Sequence, residues 1–171
     1  MRFSILYLFV MIFLVGGCVN DSSPELKTPE NGKIIIDQNL KSQINSSPPS
    51  VVINDTEYRI ESYAWRDFMP SINPPVRLIV NTTLIRTDGE PVQNNIEVLR
   101  QYVVKDHEIW RPDDLETRQN QSSPNQLNII SREGPTWEIG STVTVGVEIE
   151  NADTGNVYWF SVPEVEIVKT Q

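Results

Sequence analysis

The sequence predicts an all-β domain, built as a sandwich of two antiparallel sheets with about seven strands. From residue 50 onward, apolar and polar residues alternate with a period of two, which is typical of half-buried strands. These runs are short and are separated by turn-forming Gly, Pro, Asn and Asp residues. No segment shows a convincing amphipathic helical period. Many short strands without helices favour two packed sheets.

The clearest element is a C-terminal hairpin. The stretch STVTVGVEIE alternates so that its apolar residues point inward and its polar residues, including Glu148 and Glu150, face water. Turn residues at 151–155 precede a partner strand, NVYWFSV, and the alternation resumes after Pro163. The predicted inward residues are Val143, Val145, Val147, Ile149, Val165 and Ile167.

Shorter strands are predicted upstream of this hairpin. VVIND and EYRIESYAW give one or two short strands, with Tyr58, Ile60 and Ala64 on a common face, and VRLIVNTTLIRT forms the next strand. In that second strand Leu78, Val80 and Leu84 share a face. IEVLRQYVVKD, HEIW and LNII supply the remaining strands. Residues 111–126 are predicted to be a long polar loop that opens with a helical turn capped by Asp113.

The first residues predict a secretory leader. Arg2 forms a positive n-region, and residues 3–15 form an apolar run of the length a signal h-region needs. That run is shorter than the roughly 20 residues of a transmembrane helix. A signal anchor that is never cleaved remains the alternative.

The sole cysteine follows this run directly, in the sequence Val15-Gly16-Gly17-Cys18. The motif resembles the lipobox of prokaryotic lipoproteins. This resemblance implies cleavage before Cys18, attachment of diacylglycerol to its sulfur, and residence on the extracytoplasmic face of the cell membrane. Two acyl chains are enough for stable anchoring. Residues 1–17 are then the signal peptide.

Residues 18–49 are rich in Ser, Pro, Asn, Gln and Lys, and they predict a flexible polar tether. A coil of about 30 residues has a reach of roughly 30 Å. Within it, KIIID at residues 33–37 could add a strand to the domain, and the sequence leaves this open. The β-sandwich is expected to occupy residues 50–171.

Charge excludes one class of partner. Without Arg2 the chain has 13 basic and 23 acidic residues, a net charge near −10. Nucleic acid binding requires a basic face, so it is not expected. The same acidity argues against electrostatic attachment to anionic headgroups.

Catalytic and metal-binding patterns are not found. His107 is the only histidine, lies between acids, and has no nucleophile motif beside it. Zinc ligands are too few. Two acidic stretches, around Asp113, Asp114 and Glu116 and around Glu150, Asp153 and Asn156, do not follow calcium-loop spacing. We therefore expect a protein that is not an enzyme and needs no cofactor.

Aromatic residues are the remaining candidates for contact with a ligand or partner. Tyr63 and Trp65 alternate with the inward residues and should lie on an outer face, while Trp110 precedes the long loop. Exposed aromatics anchor protein interfaces and stack on sugars. The alternative is that the tryptophans fill the core.

Five Asn-x-Ser/Thr sequons occur, at Asn20, Asn45, Asn54, Asn81 and Asn120. They are possible N-glycosylation sites in an exported protein, or chance matches in a chain rich in these residues.

The strand layout over residues 50–171 resembles an immunoglobulin-like sandwich, although the Cys–Trp–Cys pattern is absent. VVKDHEIWRP followed by WEIGSTVTV is also similar to the intracellular proteinase inhibitor type of sandwich, but it lacks the Pro-Gly turn. These resemblances imply a binding domain for a protein or cell-envelope partner. Carbohydrate binding by exposed tryptophans, and protease inhibition by the loop at residues 111–126, are the alternatives.

Overall fold

The computed structural model describes residues 28–68 and 76–170. The leader, Cys18 and Asn20 lie outside these residues. The described chain contains ten strands and one helix. In chain order they are β1 (Lys33–Ile35), α1 (Gln38–Ser46), β2 (Ser50–Ile53), β3 (Thr56–Asp67), β4 (Leu78–Arg86), β5 (Ile96–Lys105), β6 (Glu108–Arg111), β7 (Glu116–Gln119), β8 (Gln126–Ser131), β9 (Thr142–Asn151) and β10 (Asn156–Thr170).

The strands form one curled sheet in the order β1-β6-β5-β9-β10-β3-β4-β8-β7, with β2 paired to β3. Strand β10 first pairs with β9 and then, beyond an irregularity between Val162 and Val165, with β3. Glu164 has a φ of 56° at this point, and bulges of this kind bend a strand. We call β1, β6, β5, β9 and the first part of β10 the front sheet, and the remaining strands the back sheet.

The prediction of an all-β sandwich is confirmed, with two differences. The described residues form ten strands rather than about seven, since the sequence left β1 open, left open whether β2 is a separate strand, and did not predict β7. The pairing is antiparallel except between β10 and β3, which run parallel. The sheet is therefore mixed, and the parallel pair lies where the chain passes from the front sheet to the back sheet.

The two sheets enclose the core that the alternation predicts. The six residues predicted to point inward from the C-terminal hairpin are all buried, as are Tyr58, Ile60, Ala64, Leu78, Val80 and Leu84. A polar layer separates two apolar clusters: Gln101 Nε2 on β5 donates to Thr82 Oγ1 on β4 at 2.8 Å, joining the sheets. Gln101 Oε1 and Ser131 Oγ in this region are buried without a hydrogen-bond partner.

The predicted tether is wrong from residue 28 onward, because this part of the chain is folded onto the sandwich. Asp37 caps α1 by accepting from the backbone N–H groups of Asn39 at 2.9 Å and Leu40 at 3.0 Å. Ile44 on this helix is fully buried. It lies over Gly146 of β9 so closely that a Cβ there would be 2.7 Å from Ile44 Cγ2. Few apolar residues are thus enough to fix α1.

The segment before α1 is also held. Lys33–Ile35 form β1, which pairs antiparallel with β6. This stretch therefore adds a strand to the domain, a point that the sequence left open. Asn31 Oδ1 accepts from the N–H groups of Asp113 and Asp114 at 3.0 Å, and its Nδ2 donates to Asp114 O at 3.0 Å. The chain therefore joins the domain at residue 28 and not at residue 50.

Two further predictions are corrected. The long loop at residues 111–126 contains β7, which pairs with β8, and it has no helical turn at Asp113. Glu148 was expected to face water but is buried, because side chains of the front sheet enclose it. In the described ranges, no helix has the length and apolar character needed to cross a membrane.

Candidate functional site

Tyr63 and Trp65 form a stacked pair on the outer face of β3. Their ring centroids are 5.3 Å apart and the ring planes differ by 30°. Tyr63 is 49% exposed, and Trp65 is half-buried. Both were predicted to lie opposite Tyr58 and Ile60, and the structure places them there.

Uncharged side chains surround this pair. In the strand register, Asn81 of β4 lies opposite Tyr63 and Ile79 lies opposite Trp65, while Val168 of β10 is aligned with Trp65 on its other side. All three are half-buried. We call Tyr63, Trp65, Ile79, Asn81 and Val168 the open aromatic face. Asn81 Oδ1 is buried there with no hydrogen-bond partner.

The charged groups nearest to this face along β3 are already engaged. Glu61 is ion-paired with Arg59. Arg66 donates from Nε to Val76 O at 2.8 Å and from Nη1 to Trp137 O at 3.0 Å. At the end of β3, Lys169 Nζ lies 5.3 Å from the centre of the Phe68 ring. Arg66 and Lys169 are aligned with each other, each one residue beyond Trp65 and Val168, so by strand alternation they lie on the opposite side of the sheet. The charged residues on the same side as the open aromatic face are Glu61 and Asp67 of β3 and Glu166 of β10. The open aromatic face is therefore an uncharged surface bordered by carboxylates.

A second Tyr–Trp pair lies on the outer face of the front sheet. Tyr102 of β5 and Trp159 of β10 stack with centroids 5.5 Å apart and planes within 16°. Tyr102 is only 5% exposed, because it belongs to a cluster with Ile44 of α1 and with Val104 and Ile109. We call Tyr102 and Trp159 the covered aromatic pair.

Polar contacts tie the covered pair to its surroundings. The Tyr102 hydroxyl donates to Glu148 Oε2 at 3.1 Å, and Arg100 Nη1 donates to the same oxygen at 3.0 Å. Burial, followed by the negative charge of Glu148, raises the pKa of Tyr102 to about 12. The Glu148 carboxylate correspondingly raises the pKa of Arg100. This network satisfies a buried carboxylate and presents no free group for chemistry.

Trp110 was predicted as a contact residue, and this prediction is wrong. Trp110 is 0% exposed and lies in the core between the sheets. Its Nε1 donates to Asn31 O at 2.8 Å, and its ring lies against Gly134, where a Cβ would be 2.7 Å away. The ordered segment before β1 covers one end of the sandwich, and Trp110 is enclosed beneath it.

His107 lies in the two-residue turn between β5 and β6 and is exposed. The turn begins at Asp106, whose φ is 53°. No described Ser, Thr or Cys is hydrogen-bonded to His107. Its surroundings are those of a solvated turn residue.

The described sequons differ in how free their side chains are. Asn45 on α1 and Asn54 in the β2–β3 turn are exposed. Asn120 is engaged, because its Oδ1 accepts from Ser122 N at 3.0 Å. Asn81 is half-buried on the open aromatic face. A glycan is therefore most easily accommodated at Asn45 and Asn54.

Within the described part of the chain, no three His, Cys, Asp or Glu side chains converge as a metal site. The two acidic stretches have structural contacts instead. The backbone at Asp113 and Asp114 is bound by Asn31, and Asp153 Oδ2 accepts from Asn95 Nδ2 at 2.6 Å.

A polar cleft of about 290 Å³ lies between α1 and the bulge in β10, and the sequence analysis did not identify it. This volume is near the lower limit of ligand pockets, about 300 Å³. Its lining includes Lys41, Asn45, Asp106, Thr142 and Glu164, and no aromatic ring lines it. The cleft thus lacks the apolar surface on which most ligand sites depend.

The open aromatic face is therefore the candidate contact surface of the domain. No protein-family model matches this chain, and neither a curated protein nor a solved structure shows significant similarity to it.

Proposed function

We propose that this protein is a surface lipoprotein, anchored in the cell membrane by a lipid on Cys18, with a non-enzymatic β-sandwich on the extracytoplasmic face. The domain binds a protein or cell-envelope component. The observation that supports this most directly is the stacked pair formed by Tyr63, which is 49% exposed, and Trp65, which is half-buried.

The chemistry of this pair favours a role in contact. Aromatic rings contribute large binding energy because they bury much area with few rotatable bonds, and they are enriched in interface hot spots. Tyr63 and Trp65 lie next to half-buried Ile79 and Val168, so a partner would cover a continuous uncharged area.

Sugar binding by a flat aromatic platform is less well supported. Such a platform needs rings that lie side by side with their faces open. Tyr63 and Trp65 instead turn one face toward each other at a centroid distance of 5.3 Å. Trp110, the other candidate ring, is buried.

Protease inhibition by residues 111–126 is also less well supported. An inhibitory loop must project from its scaffold. Here Pro112 is buried, Asn31 binds the backbone at Asp113 and Asp114, and β7 pairs with β8. The segment is held against the sandwich at several points along its length.

Site-specific crosslinking tests the proposed contact. A benzoylphenylalanine residue in place of Tyr63 should form a covalent adduct with an envelope component when native membranes are irradiated. The same residue in place of Val157, which is 44% exposed at the opposite end of the sandwich, is the matched control. Equal adduct formation at both positions, or none at either, would contradict a contact role for Tyr63.

The anchor is tested separately. The mature protein should begin at Cys18 and carry a diacylglycerol mass on its first residue. Cys18→Ser should release the protein from the membrane fraction. An intact leader with an unmodified thiol would refute the lipoprotein assignment.

A further inference from the structure

We infer that the open aromatic face rests on the lipid surface of the membrane that holds the anchor. This inference builds on the proposed lipid anchor and names the component that Tyr63 and Trp65 contact. It rests on the length of the tether, the place where the tether meets the domain, and the chemistry of the face.

The tether is much shorter than the sequence pattern predicts. Thr28 is already bound to the domain, because Arg77 Nη1 donates to Thr28 O at 2.6 Å. Arg77 Nη2 also donates to Glu30 Oε1 at 2.7 Å. At most residues 18–27 therefore separate the anchor from the described part of the sandwich. Ten residues span at most about 35 Å, even when fully extended.

The tether joins the domain beside the open aromatic face. Arg77, which holds Thr28, is two residues before Ile79 on the same strand side, and Ile79 lies opposite Trp65. Two residues of strand span about 7 Å. Trp65 and the attachment point thus lie at the same end of the back sheet.

The other end of the sandwich is out of reach of a tether this short. Strand β3 runs for 12 residues from the Asn54–Asp55 turn to Asp67. At a rise of about 3.3 Å per residue, this is a length of roughly 40 Å. The end that carries Trp65 consequently faces the membrane, and the turn at Asn54 points away from it.

The side chains at this end suit the headgroup region of a bilayer. Trp and Tyr combine an apolar ring with a polar group and concentrate at membrane interfaces. The acidic net charge gives no electrostatic attraction to anionic lipid, so ring insertion is the interaction that we expect.

Two rings alone bind lipid weakly, but the anchor makes weak contact sufficient. A short tether turns the contact into an intramolecular event with an effective concentration in the millimolar range. The anchor retains the protein, while the aromatic face sets its orientation.

The sole cysteine allows a direct test. The mature chain, residues 18–171, is coupled through Cys18 to a maleimide lipid in phosphatidylcholine vesicles that also contain doxyl-labelled lipid. The doxyl group quenches tryptophan only within the bilayer. Trp110 and Trp137 are 0% exposed. Trp159 is half-buried like Trp65 but lies on the outer face of the front sheet, so Trp65→Phe separates the contribution of the open aromatic face from that of Trp159.

We expect doxyl lipid to quench the emission of the coupled chain, and Trp65→Phe to remove at least half of that quenching. Val157→Ser, at the far end, should leave the quenching unchanged. Lengthening the tether from about 10 to about 40 residues with Gly and Ser should lower the effective concentration about eightfold. Quenching should fall with it.

Equal quenching in wild type and Trp65→Phe, or none in wild type, would overturn the inference. Such a result, together with a protein adduct at position 63, would assign the face to a protein partner. Because the coupling here is chemical, this result does not depend on native lipidation, which the mass of the native Cys18 peptide tests separately.

Discussion

The molecule contains two stacked Tyr–Trp pairs, one on the outer face of each sheet, and they differ in what covers them. Tyr102 and Trp159 pack in a cluster with α1, and the Tyr102 hydroxyl donates to Glu148. Tyr63 and Trp65 are partly open to solvent, and neither ring makes a side-chain hydrogen bond among the described residues. Nearly the same ring geometry thus occurs once around a buried tyrosine and once around an exposed one.

This difference assigns the covered aromatic pair to the stability of the fold and the open pair to contact with a partner or a membrane. The covered pair is already buried by the chain itself, so its interactions contribute to folding. The open pair has no such cover, so the free energy of burying its rings remains available for a partner or a membrane. Substitutions on the front face should therefore change the free energy of unfolding, and substitutions on the back face should change contact.

The largest expected effect on the free energy of unfolding is at Ile44, which packs α1 over the covered aromatic pair. Ile44→Ala removes a fully buried side chain that lies against Gly146, and it should lower the free energy of unfolding by about 2–5 kcal/mol. Urea denaturation followed by circular dichroism measures this loss. Val52→Ala is the control, because Val52 is 61% exposed on β2, and its effect should stay within about 0.5 kcal/mol.

Alkaline pH should weaken the covered aromatic pair. Because the pKa of Tyr102 is raised from 10.0 to about 12, the folded state holds this proton more tightly than the unfolded state. The stabilisation is complete below pH 10.0 and is lost as pH rises toward about 12. The loss is at most about 2.7 kcal/mol.

Comparing variants isolates this contribution. Tyr102→Phe should show a shallower fall in unfolding free energy over this range than wild type. Tyr58, whose pKa burial also raises, remains in both proteins and cancels in the comparison. Identical slopes for Tyr102→Phe and wild type would show that the hydroxyl is not buried in the folded state.

At neutral pH, Tyr102→Phe should lower the free energy of unfolding by about 1 kcal/mol. This is the net value of one hydrogen bond, or slightly more, because the acceptor Glu148 is charged. Arg100 remains as a donor to the same carboxylate oxygen, which limits the loss. Thermal unfolding at pH 7 measures the change. A loss above about 3 kcal/mol would mean that the hydroxyl supports more than this single contact.

The smallest effect on stability is expected on the open face. Tyr63→Ser should change the unfolding free energy by no more than about 0.5 kcal/mol. The ring is 49% exposed, and it makes no side-chain hydrogen bond among the described residues. The same substitution should lower crosslinking or lipid contact from neighbouring positions. A large loss of stability would place Tyr63 with the structural residues.

The sequence predicts best the strands that have one face buried in the core and the other face exposed to solvent. Strands β9 and β10 alternate clearly, and their inward residues are found in the core. Tyr63 and Trp65 could be placed on an outer face for the same reason. Glu148 was misplaced because α1 and Trp159 cover the outer face of the front sheet, and no local pattern reveals such cover.

Short segments with long-range partners were predicted only in part: HEIW was expected to be a strand, but the burial of Trp110 was not expected. HEIW contains Ile109 under α1 and Trp110 between the sheets, so both faces of β6 are buried and alternation does not apply. Helix α1 has a mostly polar sequence, QNLKSQINS. Its signals were Asp37 as an N-cap and the spacing of four residues between Leu40 and Ile44. Burial of Ile44 against Gly146, distant in sequence, stabilises it.

The central claim is that the open pair is a contact surface in the membrane-anchored protein. Hydroxyl-radical footprinting, read by mass spectrometry, compares oxidation of Tyr63 and Trp65 in native membranes with oxidation in the detergent-released protein. We predict that both residues are protected in membranes and oxidised after release, while Tyr102 stays protected and Val157 stays accessible in both states. Equal oxidation of Tyr63 and Trp65 in the two states would contradict the account.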